Sequence, residues 1–252
     1  MHVLITNDDG YESPGLVALH DAVKDQHTVS VVAPSGERSV CGHAATLKGP
    51  IRVRAVDHPT MGLIFAVDGT PADCVRLAIS TLLREPVDLV LSGINLGANV
   101  STIDVHSSGT VAAAREGAFN GIPSIAVSHL HRKTHPMDWS LSAQIVARLI
   151  PQLLGYRDRV RLWNVNLPAL PPGQRPSGVC IAPLSTDPIP LTYRVRDADD
   201  GSREYEYTGF FEGRVIRPGT DVAVVFGDQI CVTPLNLDAT APLAVGPFTV
   251  TP

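Results

Sequence analysis

Two adjacent carboxylates at the end of an apolar run are the residues that most clearly suggest chemistry in this chain. The stretch VLITNDDGYESPG, residues 3 to 15, runs from apolar and β-branched residues into Asn7, Asp8 and Asp9. A divalent cation would offset the repulsion between the two carboxylates, and their oxygens suit Mg²⁺ or Mn²⁺. The alternative is a plain Asn-Asp-Asp-Gly turn in which Asp9 caps the next helix.

A side-chain amide follows another apolar run. The segment VDLVLSGINLGAN places Asn95 just past a predicted strand, and its carbonyl oxygen suits the same cation. The carboxyl ends of parallel strands share one edge of a sheet, so Asn95 is expected near the two aspartates. A turn asparagine beside Gly97 is the alternative.

A third segment, SSGTVAAAREG, precedes an alanine-rich helix. Hydroxyl groups, a flexible glycine and unpaired backbone N–H groups meet at this helix start, which predicts a phosphate site. An ordinary Ser or Thr cap is the alternative. The residues of this predicted site are Ser107, Ser108, Gly109 and Thr110.

A small-residue loop, APSGERSVCGHAATL, follows the second predicted strand. Arg38, Ser39 and His43 are able to point inward from it. Arg38 is a candidate phosphate ligand, with a solvated loop arginine as the alternative. His43 is a candidate acid or base, with a structural hydrogen-bonding role as the alternative.

Paired acids, an amide, hydroxyls and an anion-binding helix start together suit the hydrolysis of a phosphate ester. A cation neutralises phosphate charge and lowers the pKa of a bound water, and hydroxyl and N–H groups hold the other phosphate oxygens. The chain contains neither GxxxxGK[ST] nor a GxGxxG after a strand, so nucleotide binding by those two routes is not expected.

Short apolar runs alternate with amphipathic stretches, which predicts an α/β fold with a mainly parallel sheet covered by helices on both faces. Strands are predicted at 2–6, 28–33, 64–67, 87–91, 124–127 and 161–165. Helices are predicted at 14–25, 71–85, 109–120 and 139–154, the second capped by Thr70.

The pattern changes near residue 185. Polar and apolar residues alternate on both sides of Asp200-Gly201, which predicts a β-hairpin. Such a half-polar ribbon either projects as an arm or packs on a partner subunit, and we expect the second. We therefore predict one domain over residues 1–252, with a core at about 1–185 and a hairpin and C-terminal extension at about 186–252.

Composition excludes several classes of protein. The chain has 252 residues, 44% hydrophobic, and a net charge of −5, which argues against duplex nucleic acid as a partner. No apolar run approaches the about 20 residues of a membrane span, and the N-terminus lacks the pattern of a signal peptide. We expect a cytoplasmic protein with no membrane partner and with its four separated cysteines reduced.

Taken together, the motifs resemble the SurE family. They are NDDG, the serine-containing loop, SGIN, SGTVAAAREGAFNGIPSIAVS and the late GTDVAVV…VTPL, and they span nearly the whole chain. The resemblance implies a Rossmann-like core and a C-terminal hairpin that exchanges between subunits of a homodimer or homotetramer. It also implies a metal-dependent phosphomonoesterase that hydrolyses nucleoside 5′- and 3′-monophosphates.

The resemblance also implies roles for individual residues. One divalent cation per subunit, Mg²⁺ or Mn²⁺, is expected on Asp8, Asp9, Ser39 and Asn95. The phosphate-pocket loop falls on Ser108, Gly109 and Thr110, and our predicted substrate-binding set adds Asn95 and Ser107. Asp8 and Asp9 are the predicted catalytic residues, one of which positions or deprotonates the water that attacks phosphorus.

The chain departs from the family pattern in two places. Val40 follows Ser39, where the family usually has glycine. This difference concerns the backbone geometry of the Ser39 loop. Ser107 stands where many members have tyrosine, with His106 before it, which bears on what lines the base-binding side.

Other functions fit less well. A serine esterase requires GxSxG between a strand and a helix, and the chain has none. A non-catalytic module that binds metal or nucleotide and regulates a partner remains the alternative. The tract HLHRKTH, with His129, His131 and His135, fits neither a zinc finger nor HExxH and is interpreted as a solvated loop.

Overall fold

Strands and helices alternate along most of the chain, as the sequence predicts. The structure is a computed structural model that describes residues 1–209 and 211–240. The strands are β1 His2–Thr6, β2 Thr28–Pro34, β3 Val53–His58, β4 Gly62–Val67, β5 Leu89–Leu96, β6 Ser124–His129, β7 Leu162–Leu167, β8 Val179–Ile181, β9 Tyr193–Asp197, β10 Arg203–Tyr207 and β11 Ile230–Leu235. The α-helices are α1 Pro14–Asp21, α2 Pro71–Leu77, α3 Ser101–Ser107, α4 Gly109–Phe119, α5 Trp139–Leu154 and α6 Asp221–Phe226.

Nine strands form one sheet in the order β3-β4-β2-β1-β5-β6-β7-β11-β8. The six strands from β4 to β7 are parallel to one another, while β3 and β11 run antiparallel to their neighbours β4 and β7. The chain winds outward from β1 in one direction through β2 and in the other through β5. The carboxyl ends of β1 and β5 therefore flank the point where the winding reverses, which is where open α/β sheets bind ligands.

Alternate residues of β1 enter two different cores. Val3 and Ile5 pack with α1 and α5 on one face, whereas Leu4 packs with α2 and α4 on the other. A strand buried on both faces must be apolar throughout, which explains the continuous run before Asn7.

The predicted helix starts agree with the structure, but two helix ends differ. Thr70 forms a capping box with Asp73, and Pro14 opens α1 after the cap Ser13. Helix α1 ends at Asp21 rather than residue 25. Helix α2 ends at Leu77 and continues as a π-helical turn, Ala78–Leu82, instead of an α-helix to residue 85.

Five elements were not predicted: β3, α3, β8, α6 and β11. Strand β3 is largely exposed at the sheet edge and α3 has no side-chain cap, so neither carries a strong sequence signal. Strand β11 contains Pro234, which normally argues against a strand. β11 is paired with β8 only over Ile230 to Val232, so Pro234 lies where no β8 partner needs its missing N–H.

The main sheet takes in chain from beyond residue 185. Strand β11 lies between β7 and β8, so part of the predicted C-terminal extension belongs to the core sheet. Residues 210 and 241–252 of that extension lie outside the described residues.

The predicted hairpin is present as a separate two-stranded antiparallel sheet. Strands β9 and β10 pair from Asp197 opposite Arg203 to Tyr193 opposite Tyr207. Gly201 occupies the turn with φ of 82°, which glycine adopts without strain. All ten strand residues are exposed, so the hairpin has no core of its own within one subunit.

Among the helices of the described chain, none is long and apolar enough to cross a membrane.

The close packing of α4 on the sheet can be tested at Gly117. A Cβ at this position would lie 2.6 Å from Ser124 Oγ and 2.7 Å from Val90 Cγ2. We expect Gly117→Ala to lower the free energy of unfolding in urea by about 1–2 kcal/mol, because overpacking outweighs the better helix propensity of alanine. The matched control is Gly178→Ala, whose Cβ would meet only the flexible Gln229 side chain at 3.6 Å. Equal free energies of unfolding for Gly117→Ala and Gly178→Ala would contradict the close packing of α4 on the sheet at Gly117.

Candidate functional site

The NDDG segment and Asn95 lie beside each other at the point where the sheet reverses. Thr6 at the end of β1 pairs in register with Ser92 of the neighbouring β5. Asn95 lies within β5, beyond an irregularity between Ser92 and Asn95, and so not past the strand as predicted. The strand is longer than expected because its pairing with β6 resumes after the irregularity, with Asn95 opposite Ser128 and Leu96 opposite His129.

Asp8 is a buried carboxylate held by the start of α4. The Thr110 hydroxyl donates a hydrogen bond to its Oδ1. Burial raises the pKa of Asp8 to about 6; the Thr110 hydrogen bond opposes the rise and the charge of Asp9 adds to it. An isolated buried carboxylate is costly, so a cation bound here would favour the charged form.

Asp9 is half-buried and accepts a hydrogen bond from the Leu96 N–H at 3.1 Å through Oδ2. Burial raises the pKa of Asp9, the Leu96 N–H opposes the rise, and the nearby Glu37 carboxylate adds to it. The bond to Leu96 ties the loop after β1 to the end of β5.

Asn95 presents its carbonyl oxygen because its amide nitrogen is already used. The Nδ2 group donates to the Gly97 carbonyl at 2.7 Å. Among the described residues, no hydrogen bond engages Oδ1, which suits a role as an oxygen ligand.

Ser39 lies on an exposed loop that is fixed to Asp8 by the backbone. The Arg38 N–H donates to the Asp8 carbonyl at 2.7 Å. The Ser39 hydroxyl donates to Glu37 Oε1 at 2.6 Å, which leaves its oxygen lone pairs for a cation. The Arg38 guanidinium lies 3.3 Å from Asp68, where it is engaged in an exposed ion pair.

The predicted phosphate loop is brought against Asp8. Ser108 caps α4, and its hydroxyl accepts the Val111 N–H at 3.1 Å. Gly109 is required by contact, since a Cβ there would lie 2.9 Å from Asp8 Cβ and 3.0 Å from Cys41 Sγ. The Ser107 hydroxyl donates back to the Ile103 carbonyl at 2.9 Å, within α3.

His43 is engaged with Glu116, as the alternative of a structural hydrogen-bonding role predicts. Its Nε2 lies 2.8 Å from Glu116 Oε2, and the Arg76 guanidinium is 2.9 Å from the other oxygen. Burial would raise the pKa of Glu116, but the hydrogen bonds from Arg76 and His43 hold it below its ordinary value. Glu116 lies two turns along α4 from Gly109, so His43 anchors the loop to the flank of α4.

The histidine tract is structural at its first residue. His129 lies 3.0 Å from Ser142 Oγ and 2.9 Å from the Pro168 carbonyl oxygen. Across residues 1–209 and 211–240, no group of three or more His, Cys, Asp or Glu side chains is placed to hold a metal ion. The predicted ligand set has only two residues of those types and depends on serine and asparagine for the rest.

Sequence reasoning missed residues that shape the site from behind. Asn7 donates to the Gly10 carbonyl at 2.9 Å and to Ser13 Oγ at 2.7 Å, so it folds the NDDG turn back onto the start of α1. The buried Asp221 of the GTD motif accepts the Ser101 and Ser185 N–H groups at 2.6 and 2.8 Å. The signal in both cases is a polar residue at the border of an apolar run, with Asn7 after VLIT and Asp221 before VAVVF.

The loop after β5 is held by buried asparagines. The Asn99 N–H donates to Asn166 Oδ1 at 2.8 Å, and the Asn99 carbonyl accepts the Asn164 and Asn166 amides. The available signal for these contacts was the pair of asparagines, Asn164 and Asn166, within the buried strand β7.

A cavity of about 440 Å³ opens beside the two aspartates. Its lining includes Asp9, Glu12, Ser39, Leu96 and Trp139. The predicted cation ligands Asp9 and Ser39 therefore share a space large enough for a small organic molecule.

Comparison with known proteins decides the family. The family model described as "Survival protein SurE" matches residues 3–187. The chain belongs to the SurE family. The resemblance seen in the motifs is thereby confirmed.

Relatives and a solved structure agree with this assignment over nearly the full length. A 5′-nucleotidase SurE of Geobacter sulfurreducens is 44% identical, covering 95% of this chain and 89% of that protein. A putative 5′-nucleotidase of Nostoc sp. is 39% identical, covering 94% of this chain and all of that protein. The crystal structure of a SurE protein from Aquifex aeolicus superposes with a TM-score of 0.80 at 34% identity, covering 95% of each chain, which confirms the predicted fold.

Val40, the residue after Ser39, provides a test of the backbone of that loop. Val40 is exposed and has φ of 55°, which costs a residue with a Cβ about 1–2 kcal/mol. We expect Val40→Gly to raise the free energy of unfolding by up to about 1 kcal/mol, because the gain exceeds the added entropy of the unfolded chain. Val40→Ala retains a Cβ and is expected to recover at most part of this gain. A Val40→Gly protein less stable than Val40→Ala would contradict the left-handed backbone.

The buried environment of His129 can be tested by the pH dependence of stability. Burial lowers the pKa of His129 to about 4, whereas an unfolded histidine titrates near 6.5. The unfolded chain therefore binds the proton first as the pH falls, and this contribution to stability is lost between about pH 6.5 and 4, by at most about 3 kcal/mol. Urea unfolding across this range should show a smaller loss for His129→Gln than for wild type. Exposed His131→Gln is the control, and parallel profiles for all three proteins would exclude the assignment.

Proposed function

We propose that this protein is a metal-dependent phosphomonoesterase that hydrolyses nucleoside 5′- and 3′-monophosphates to nucleoside and phosphate. The main support is the meeting of four segments at one edge of the sheet: NDDG, the Ser39 loop, the end of β5 and the start of α4. They are tied by the bonds of Arg38 to Asp8, Leu96 to Asp9 and Thr110 to Asp8. Relatives of similar length carry the name 5′-nucleotidase SurE.

The proposed cation ligands form an all-oxygen set that fits one divalent ion per subunit, Mg²⁺ or Mn²⁺. Asp8 and Asp9 each use one carboxylate oxygen in a hydrogen bond within the protein, and Asn95 and Ser39 each present an oxygen as acceptor. When bound, such a cation supplies charge neutralisation for the phosphate and a lowered pKa for a water molecule. The burial of Asp8 supports the fit, since it leaves a carboxylate that gains from a nearby positive charge.

The start of α4 is the proposed site for the phosphate oxygens. Backbone N–H groups in the first turn of a helix lack partners within the helix and attract anions. Gly109 lets Asp8 approach this turn, and Ser108 and Thr110 fix its conformation through their own hydrogen bonds. Phosphate bound here would lie against the aspartates.

The two aspartates differ in their surroundings, which suggests different tasks. Asp8 is enclosed by Thr110 and Gly109 and has little freedom to move. Asp9 faces the cavity, where its carboxylate can orient or accept a proton from a water that attacks phosphorus.

We propose that the protein acts as a homodimer or homotetramer in the cytoplasm and binds neither duplex nucleic acid nor membrane. The hairpin supports an assembly because every residue of its two strands is exposed, and these residues include Tyr193, Val195, Tyr205 and Tyr207. Exposed apolar side chains on a ribbon with no core of its own are typical of a surface that packs on a partner.

An assay of phosphate release tests this proposal. Wild type and Asp9→Asn are incubated with a panel of 5′- and 3′-nucleoside monophosphates, with Mg²⁺ or Mn²⁺ and with EDTA. We expect release in the presence of metal, loss of release with EDTA, and a fall of at least about 100-fold in Asp9→Asn. Asp200→Asn, a change in the exposed turn of the hairpin, is the matched control.

The same assay separates hydrolysis from binding alone. A folded wild-type protein that binds Mn²⁺ but releases phosphate from none of the nucleotides would favour a non-catalytic module that binds metal or nucleotide and regulates a partner.

A further inference from the structure

The cavity beside Asp9 is lined in part by an aromatic side chain. Trp139, the first residue of α5, lines the same space as Asp9 and Ser39. The indole side chain of Trp139 is only half-buried. A planar group that enters the cavity can therefore reach the indole.

Trp139 is held in a fixed orientation. Its Cη2 atom would lie 3.2 Å from a Cβ built on Gly15, so the indole packs closely over the start of α1. The His129 ring meets it edge-on, with ring centroids 6.3 Å apart. The indole also packs against the main core, and a rigid aromatic surface loses little entropy when a ligand stacks on it.

The charges of the cavity favour an uncharged group next to the indole. The Glu12 carboxylate lines the cavity together with Trp139, whereas Glu37 lies beside Ser39, from which it accepts a hydrogen bond. Glu12 repels a second phosphate and accepts hydrogen bonds from N–H donors. Adenine, guanine and cytosine carry an exocyclic amino group that donates such bonds, whereas uracil carries none.

We infer that Trp139 is the surface on which the base of a nucleoside monophosphate stacks, with its phosphate toward Asp9 and Ser39. The inference rests on the proposed function and adds a substrate preference to it. Bases with an amino group are favoured, and purines over pyrimidines, because a larger ring system stacks more strongly. Trp139 is thus a residue that determines specificity.

Kinetics with a substrate that lacks a base test the inference. The ratio of kcat/KM for AMP to that for ribose 5-phosphate is measured in wild type, Trp139→Phe and Trp139→Ala. We expect the ratio to fall about tenfold or more in Trp139→Ala and to stay near the wild-type ratio in Trp139→Phe, because one stacked base contributes at least that much to binding. In wild type, UMP should have the lowest kcat/KM of AMP, GMP, CMP and UMP. Phe119→Ala removes an exposed aromatic that stacks on His43 and is the control.

Tryptophan fluorescence gives a second readout that requires no turnover. The chain has two tryptophans, and Trp163 is only 5% exposed. Adenosine, but not ribose, is expected to quench the fluorescence of Trp163→Phe, whose remaining tryptophan is Trp139. Adenosine should leave the fluorescence of Trp139→Phe unchanged.

The outcomes separate this inference from the proposed function. Phosphate release with an unchanged AMP to ribose 5-phosphate ratio in folded Trp139→Ala would overturn the role of Trp139 and leave the phosphatase standing. Failure of wild type to release phosphate from any substrate would overturn the phosphatase, while quenching by adenosine would still establish the stacking surface.

Discussion

The burial of the Asp8 carboxylate is the constraint on which this site depends. A charged group at the end of an apolar strand loses its hydration, and the protein offsets part of that cost with the Thr110 hydroxyl. That bond requires α4 to begin directly against β1, which in turn requires glycine at position 109. The Arg38 N–H donates to the backbone carbonyl of Asp8, and this bond brings the Ser39 loop to the same residue. Helix, strand and loop thus meet at one buried acid.

Much of this arrangement was predictable because it depends on local patterns. The apolar run before Asn7, the Thr70 cap and the amphipathic period of α5 each specify an element without reference to distant residues. The convergence of Asp8 and Asn95 followed from one topological rule about parallel strands. These parts of the fold and site therefore emerged from the sequence alone.

What could not be predicted depends on partners distant in the chain. The direction of the Ser107 hydroxyl, the pairing of His43 with Glu116, and the place of β11 between β7 and β8 each depend on packing that no local pattern encodes. Short or exposed elements such as β3 and α3 were not predicted for a related reason. Neighbouring elements determine their structure more than their own propensity does. Val40 shows the same limit at one residue, because its left-handed backbone contradicts the preference of a β-branched side chain.

The late position of β11 in the chain has a consequence for synthesis on the ribosome. Strand β8 pairs with β11, and β11 alone joins it to β7. Until β11 has been translated, β7 is an open edge and β8 has no strand to pair with, a condition that invites pairing between nascent chains. Asp221, which accepts a hydrogen bond from the N–H of Ser101 at the start of α3, is also made late. The edge of the sheet at β7 and the Asp221 bond to Ser101 are thus completed only after residues 221 to 235 have been made.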